Sequence, residues 1–120
     1  MSHIVTIHTK IRDPAALAAA CARLGLAAPG PGTAELYSGS ASGLIVRLPG
    51  WTYPAVVNPE SGEVRYDNFE GRWGSQTELD RLLQMYAVEK CRIEARRKGY
   101  AVTEQQLPDG GIRLRIAEGG

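Results

Sequence analysis

The sequence predicts an α+β fold: one domain in the order β-α-β-β-β-β-α-β-β, with an antiparallel or mixed sheet and both helices on one of its faces. Three observations carry that prediction. Short runs of alternating polarity recur between turn-forming clusters, two segments show the apolar spacing of helices, and the helices do not alternate one-for-one with strands as a parallel sheet requires.

Residues 3–11 alternate, with Val5, Ile7 and Ile11 on one parity and Thr6, His8 and Lys10 on the other, the pattern of a half-buried strand. Asp13-Pro14 supplies a capping carboxylate and a proline at the first helical position, where its missing N–H costs nothing. Leu17, Ala20, Cys21 and Leu24 then fall on one helical stripe, and Gly25 ends it. Ala27-Ala28-Pro29-Gly30-Pro31-Gly32 reads as a loop, with two prolines and two glycines in succession. Four strands are expected next, at Thr33–Tyr37, Gly43–Leu48, Tyr53–Val57 and Glu63–Tyr66, separated by turn compositions and forming an antiparallel meander. Ser75-Gln76-Thr77-Glu78 has the spacing of a capping box and opens a long helix. Its stripe is Leu79, Leu82, Leu83, Tyr86 and Ile93, and Gly99 stops it after Lys98. Tyr100–Leu107 and Gly111–Ala117 flank Pro108-Asp109-Gly110, a hairpin signal.

Length and composition bound the function. A chain of 120 residues accommodates one domain, not a cofactor domain plus a substrate domain. The net charge of +1 does not force wholesale binding of polyanions. Cys21 and Cys91 stand seventy positions apart, which fits neither a disulfide scaffold nor a paired zinc motif, so a reduced, cytoplasmic setting is expected. No apolar run approaches the roughly 18 residues of a membrane span, and the first residues lack the pattern of a signal peptide. No motif for a metal or cofactor stands out. The final residues, 118–120, read as a flexible tail; their Gly119-Gly120 superficially resembles that of ubiquitin-like modifiers.

Two blocks of sequence resemble a known family. Met1-Ser2-His3-Ile4-Val5-Thr6-Ile7-His8-Thr9-Lys10-Ile11-Arg12-Asp13 is similar to the start of the uncharacterised hypothetical chloroplast open-reading-frame thirty-five family of plastids and cyanobacteria, which has relatives in other bacteria. The stretch from Met85-Tyr86-Ala87 through Lys98–Gln106, followed by Asp109-Gly110-Gly111-Ile112-Arg113-Leu114, resembles a later part of it. The resemblance covers about a third of the chain and implies a shared fold. It brings no catalytic residues, because the family is a domain of unknown function.

Candidate chemistry is sparse. His3 and His8 differ by an odd spacing, so a regular strand sends them to opposite faces and away from a common metal ion. Cys21 lies on an apolar stripe, and Cys91 has Lys90 and Arg92 beside it only in sequence, so both read first as packed thiols. Lys90 falls near the centre of the long helix's apolar stripe, where a buried amine becomes a base or nucleophile and a solvent-reaching one pairs with Glu94.

Two surfaces draw more attention. Tyr66-Asp67-Asn68-Phe69-Glu70-Gly71-Arg72-Trp73-Gly74 mixes carboxylates, an arginine and three aromatic rings in a loop, the composition of a contact anchor; its plainer reading is that Phe69 and Trp73 plug the core edge. Strand parity also sends Lys10, Arg47, Arg65, Arg113 and Arg115 to the sheet face opposite an apolar set that includes Val5 and Ile116, with His8 among them, so that face is expected to be basic. The leading expectation is therefore a small non-enzymatic adaptor that binds a protein partner through His8, Lys10, Arg47, Arg65, Arg113 and Arg115 on the sheet, and Phe69, Arg72 and Trp73 in the loop. The alternatives are a small enzyme using Lys90, Cys91 or His8 with the loop carboxylates, and a weak nucleic-acid-binding module reading phosphates through charge.

Overall fold

The computed structural model describes residues 4–118; His3 and the Gly119-Gly120 tail lie outside them. Seven strands and two helices follow in the expected order: β1 (Val5–His8), α1 (Pro14–Arg23), β2 (Gly30–Leu36), β3 (Gly39–Val46), β4 (Ala55–Asn58), β5 (Glu63–Tyr66), α2 (Gln76–Arg97), β6 (Ala101–Gln106) and β7 (Ile112–Ala117). A short 3-10 turn, Phe69–Gly71, separates β5 from α2. Five strands form one antiparallel sheet in the order β1-β5-β4-β3-β2, and β6-β7 is a separate antiparallel pair.

Local chemistry explains the start of α1. Asp13 caps α1: its Oδ1 accepts from the Ala15 and Ala16 N–H groups at 3.0 and 3.4 Å, and Pro14 takes the first turn. Gly25 leaves the helix at φ +73°, a conformation that suits glycine. Ser75 stands at the N-cap of α2, but its hydroxyl makes no capping bond; Glu78 N–H donates instead to Ser75 C=O, and the Glu78 side chain pairs with Arg81. The capping-box spacing therefore marked the right helix start without forming the box.

Two loops predicted from composition are strand. Gly30-Pro31-Gly32 opens β2, which is an edge strand and so tolerates a proline that has no N–H for a further ladder. Gly39–Ser42 belongs to β3, because the hairpin turn consumes only Tyr37 and Ser38; Thr33 and Ser42 hydroxyls meet across the pair at 2.7 Å.

The main core lies between one face of the five-stranded sheet and the two helices. Leu17, Ala20 and Cys21 from α1, Val46, Val57 and Val64 from the sheet, and Leu79, Leu82 and Tyr86 from α2 are all buried there. Gly62 closes the sheet against the β1–α1 connection: it sits at φ +80°, and a Cβ there would lie 2.1 Å from Thr9 O.

The opposite face is not the polar surface expected from parity. Ala34, Leu36, Ala41 and Val56 are buried on it, with Ile4, Ile45 and Tyr53 packed around them. Among the described residues, no helical side chain belongs to this cluster. The sheet curls over it, so that Ile4, beside the edge strand β1, reaches a point 3.4 Å from where a Cβ on Gly39 would stand, at the start of β3.

The β6–β7 hairpin packs on α2. Ile112 and Leu114 pack against the main core, whereas Val5 and Ile116, expected in the core, are 37% and 50% exposed because an edge strand and a two-stranded pair leave their margins open. Glu104 fastens the hairpin to both helices. Its Oε2 accepts from Arg23 Nη1 at 2.8 Å and Arg92 Nη1 at 2.6 Å, and its Oε1 accepts from Arg23 Nη2. Arg23 and Arg92 together hold the Glu104 carboxyl below its ordinary range, with Arg23 the larger influence.

Candidate functional site

Four of the chain's eight aromatic residues meet at one end of the curled sheet. Trp73 is the hub. Its ring centroid lies 4.7 Å from that of Phe69, 5.1 Å from Tyr37 and 5.7 Å from Tyr53. Arg72 Cζ stands 5.0 Å from the Phe69 ring centroid, within the range of a cation–π contact. Phe69, Trp73 and Tyr53 are half-buried, Arg72 is exposed, and Tyr37 is 60% exposed, so the cluster presents ring edges and a guanidinium to solvent. Tyr53 also belongs to the apolar cluster on the outer sheet face, which makes the aromatic end its continuation.

The backbone that presents these rings is under strain. Phe69 and Glu70, neither of them glycine, have φ of 48° and 54°, each a conformation that costs on the order of 1–3 kcal/mol. Surrounding bonds hold it. Asn68 C=O accepts from Gly71 N–H and Trp73 N–H, and Asn68 Nδ2 donates to Gly74 O at 3.2 Å and Gln76 Oε1 at 3.4 Å. Gly74 packs flat on Trp51, where a Cβ would fall 2.4 Å from the indole; Trp51 Nε1 in turn donates to Ser75 O at 3.0 Å. Thr52 N–H donates to Trp73 O at 2.8 Å, so the β3–β4 connection and the loop form one unit. Beneath them Asp67 is 1% exposed; Oδ1 accepts from Phe69 N–H at 3.4 Å, and Oδ2 has no hydrogen-bond partner among the described residues. A buried carboxylate oxygen left unpaired carries a desolvation cost of roughly 1–3 kcal/mol or more.

The sheet residues expected to form one basic face are dispersed. Arg113 and Arg115 belong to β7, outside the five-stranded sheet, because β7 pairs only with β6; they face away from Ile112 and Leu114. Lys10 follows the end of β1 and Arg47 follows the end of β3. Only His8 and Arg65 remain on the outer face of paired strands, and Glu63 offsets both, at 4.0 Å from His8 and 3.6 Å from Arg65. Asp67, one of the loop carboxylates, is buried and offers no charge to that face.

No protein-family model, curated protein or solved structure matches the chain. Its chemistry is therefore read from its own geometry.

Lys90, Cys91 and His8, the residues of the enzymatic alternative, line one cleft between α2 and the segment after β1. The carboxylates beside Lys90 are Asp13 and Glu94 rather than those of the aromatic loop. Lys90 Nζ lies 2.9 Å from Glu94 Oε1 and 3.0 Å from Asp13 Oδ2, and these partners, Glu94 first, raise its pKa. That is the reverse of what a nucleophilic amine needs. Burial pushes the Cys21 thiol up and away from thiolate chemistry, while Cys91 is half-buried at the cleft wall. Among the described residues, no three histidine, cysteine or acidic side chains form a metal-binding group, and no helix is long and apolar enough to cross a membrane.

Sequence reasoning found Phe69, Arg72 and Trp73 but missed Tyr37 and Tyr53. The sequence pattern puts both at strand ends, in Thr33–Tyr37 and Tyr53–Val57. The turn composition that follows Tyr37, and Pro54 directly after Tyr53, were the available signals that these two rings stand just outside the strands.

Proposed function

We propose that the chain is a small non-enzymatic accessory protein that binds a protein partner through the aromatic cluster centred on Trp73, with Tyr37, Phe69 and Arg72 as its solvent-facing contacts. One observation carries the reading. Energetic cost is concentrated where the rings are displayed: two consecutive non-glycine residues at positive φ, above a buried carboxylate oxygen with no hydrogen-bond partner among the described residues. Strain of this kind persists where a site needs a fixed geometry, and aromatic rings beside an arginine are the residue types that dominate protein interfaces. The basic residues contribute less in this reading, since Arg113 and Arg115 stand on another sheet and His8 and Arg65 share Glu63. Two unpaired cysteines accord with a reduced, cytoplasmic setting.

Kinship with the hypothetical chloroplast open-reading-frame thirty-five family is part of the same proposal. Its first block spans β1 and the Asp13 cap, and its later block spans the second half of α2 and most of the β6–β7 hairpin. Neither contains the aromatic loop. The partner surface is accordingly assigned to this chain and not to the family.

Affinity capture from the native cell tests the reading. Wild type should retain a partner in defined ratio, Tyr37→Ala/Arg72→Glu should lose it, and Arg113→Glu/Arg115→Glu should keep it. Retention by the first variant together with loss by the second would reject it.

A further inference from the structure

The cleft between α2 and the Lys10-Ile11 segment has a volume of about 630 Å³, within the roughly 300–1,000 Å³ of small-molecule sites. Its walls are mainly apolar, with Ile11 on one side and Leu83, Ala87 and Cys91 along one stripe of α2. Its charges are unequal. Glu94, the one carboxylate on the lining, is already engaged by Lys90 at 2.9 Å and Arg97 at 3.5 Å. The Lys90 ammonium spends two of its three donors on Glu94 and Asp13. Lys10 has no carboxylate within ion-pairing distance among the described residues. The site thus combines an apolar trough with one free ammonium and a spare donor on another.

We propose that this cleft binds an amphipathic monocarboxylate, with its apolar body along the Ile11, Leu83 and Ala87 walls and its carboxylate on Lys10. A cationic amphiphile would meet Lys10 and Lys90 without a free acid to receive it. A phosphorylated ligand would need more donors than Lys10 and one remaining Lys90 N–H provide, since His8, also on the lining, lies beside the Glu63 carboxylate at 4.0 Å. The site is separate from the aromatic surface and does not depend on it.

Cys91 supplies the readout. It lines the cleft, whereas Cys21 is fully buried, so iodoacetamide followed by mass spectrometry reports on the cleft alone. Sub-micellar dodecanoate should slow Cys91 alkylation saturably, while dodecylamine and dodecanol should do so only at far higher concentration. Lys10→Glu should weaken the dodecanoate effect by about tenfold or more, the scale of one lost charge-assisted hydrogen bond. Ala87→Trp, at an exposed helical position, should fill the trough and abolish protection with the thermal midpoint retained; Leu83→Trp serves the same purpose if that variant fails to fold. Absence of protection by dodecanoate, equal protection by dodecylamine, or protection unchanged in Lys10→Glu would overturn the proposal. So would a Cys91 that is inert in a dimeric free protein, which would place a second copy in the cleft.

Discussion

Lys90 and Asp13, seventy-seven positions apart, join at 3.0 Å, and the same carboxylate caps α1 through its other oxygen. One acid therefore both starts a helix and ties it to α2. Asp13→Ala should cost about 1–2 kcal/mol, chiefly the lost cap. Asp13→Asn, which keeps an acceptor for Ala15 and Ala16 but not the ion pair, should cost under about 1 kcal/mol, because Lys90 is 38% exposed. Urea denaturation of the two variants separates cap from charge.

The Tyr86 hydroxyl extends the same junction. It accepts from Arg12 N–H at 3.2 Å and Asp13 N–H at 3.1 Å, so one side-chain oxygen serves two backbone donors. Tyr86→Phe should lower stability by about 1–3 kcal/mol, because both donors lose their acceptor in a half-buried turn. Amide exchange at Arg12 and Asp13 should accelerate in that variant, and unchanged exchange would show that other acceptors replace the hydroxyl.

Acid should loosen the β6–β7 hairpin. Glu104 is held below its ordinary value by Arg23 and Arg92, and Asp13 by Lys90. A carboxyl with a depressed native pKa contributes its full stabilisation above the unfolded-state value and loses it as pH falls through the native one. Wild type should therefore lose stability as pH drops below the ordinary glutamate value of 4.5. Glu104→Gln should be about 1–2 kcal/mol less stable at neutral pH, the triad being only partly shielded from solvent, and the gap should narrow in acid. Denaturation midpoints measured from about pH 7 to about pH 3 test the sign.

Backbone geometry predicts opposite effects at two positions. Gly62→Ala should destabilise by about 2 kcal/mol or more, since it combines a positive φ with a Cβ 2.1 Å from Thr9 O. Glu70→Gly should stabilise by roughly 1 kcal/mol, because it relieves a φ of 54° at an exposed position. Thermal unfolding of both variants is the check. A destabilised Glu70→Gly would remove the argument that the aromatic loop is strained.

Legibility followed the range of the interactions. α1 was readable because Asp13, Pro14 and Gly25 are local signals that act within one turn, and α2 because its apolar stripe repeats over several turns. β2 and β3 began earlier than composition indicated, since glycine and proline resist strand formation only where ladder bonds are required, and Gly30-Pro31-Gly32 sits at an edge. The basic face failed for a different reason. Parity assigns a residue to one side of its own strand, but not to a sheet, and Arg113 and Arg115 went with β6. The outer-face cluster was hidden because Ala34 and Ala41 are too small to register as core until the sheet curls over them. Tyr37 and Tyr53 joined Trp73 through contacts that no local pattern encodes.

Hydrogen–deuterium exchange of the captured complex against the free protein tests the partner surface most directly. Slower exchange confined to the Tyr37, Tyr53 and Phe69–Trp73 segments, with β6 and β7 unchanged, is the expected result. Protection centred on β7 and Arg113–Arg115, with the aromatic segments unaltered, would contradict it.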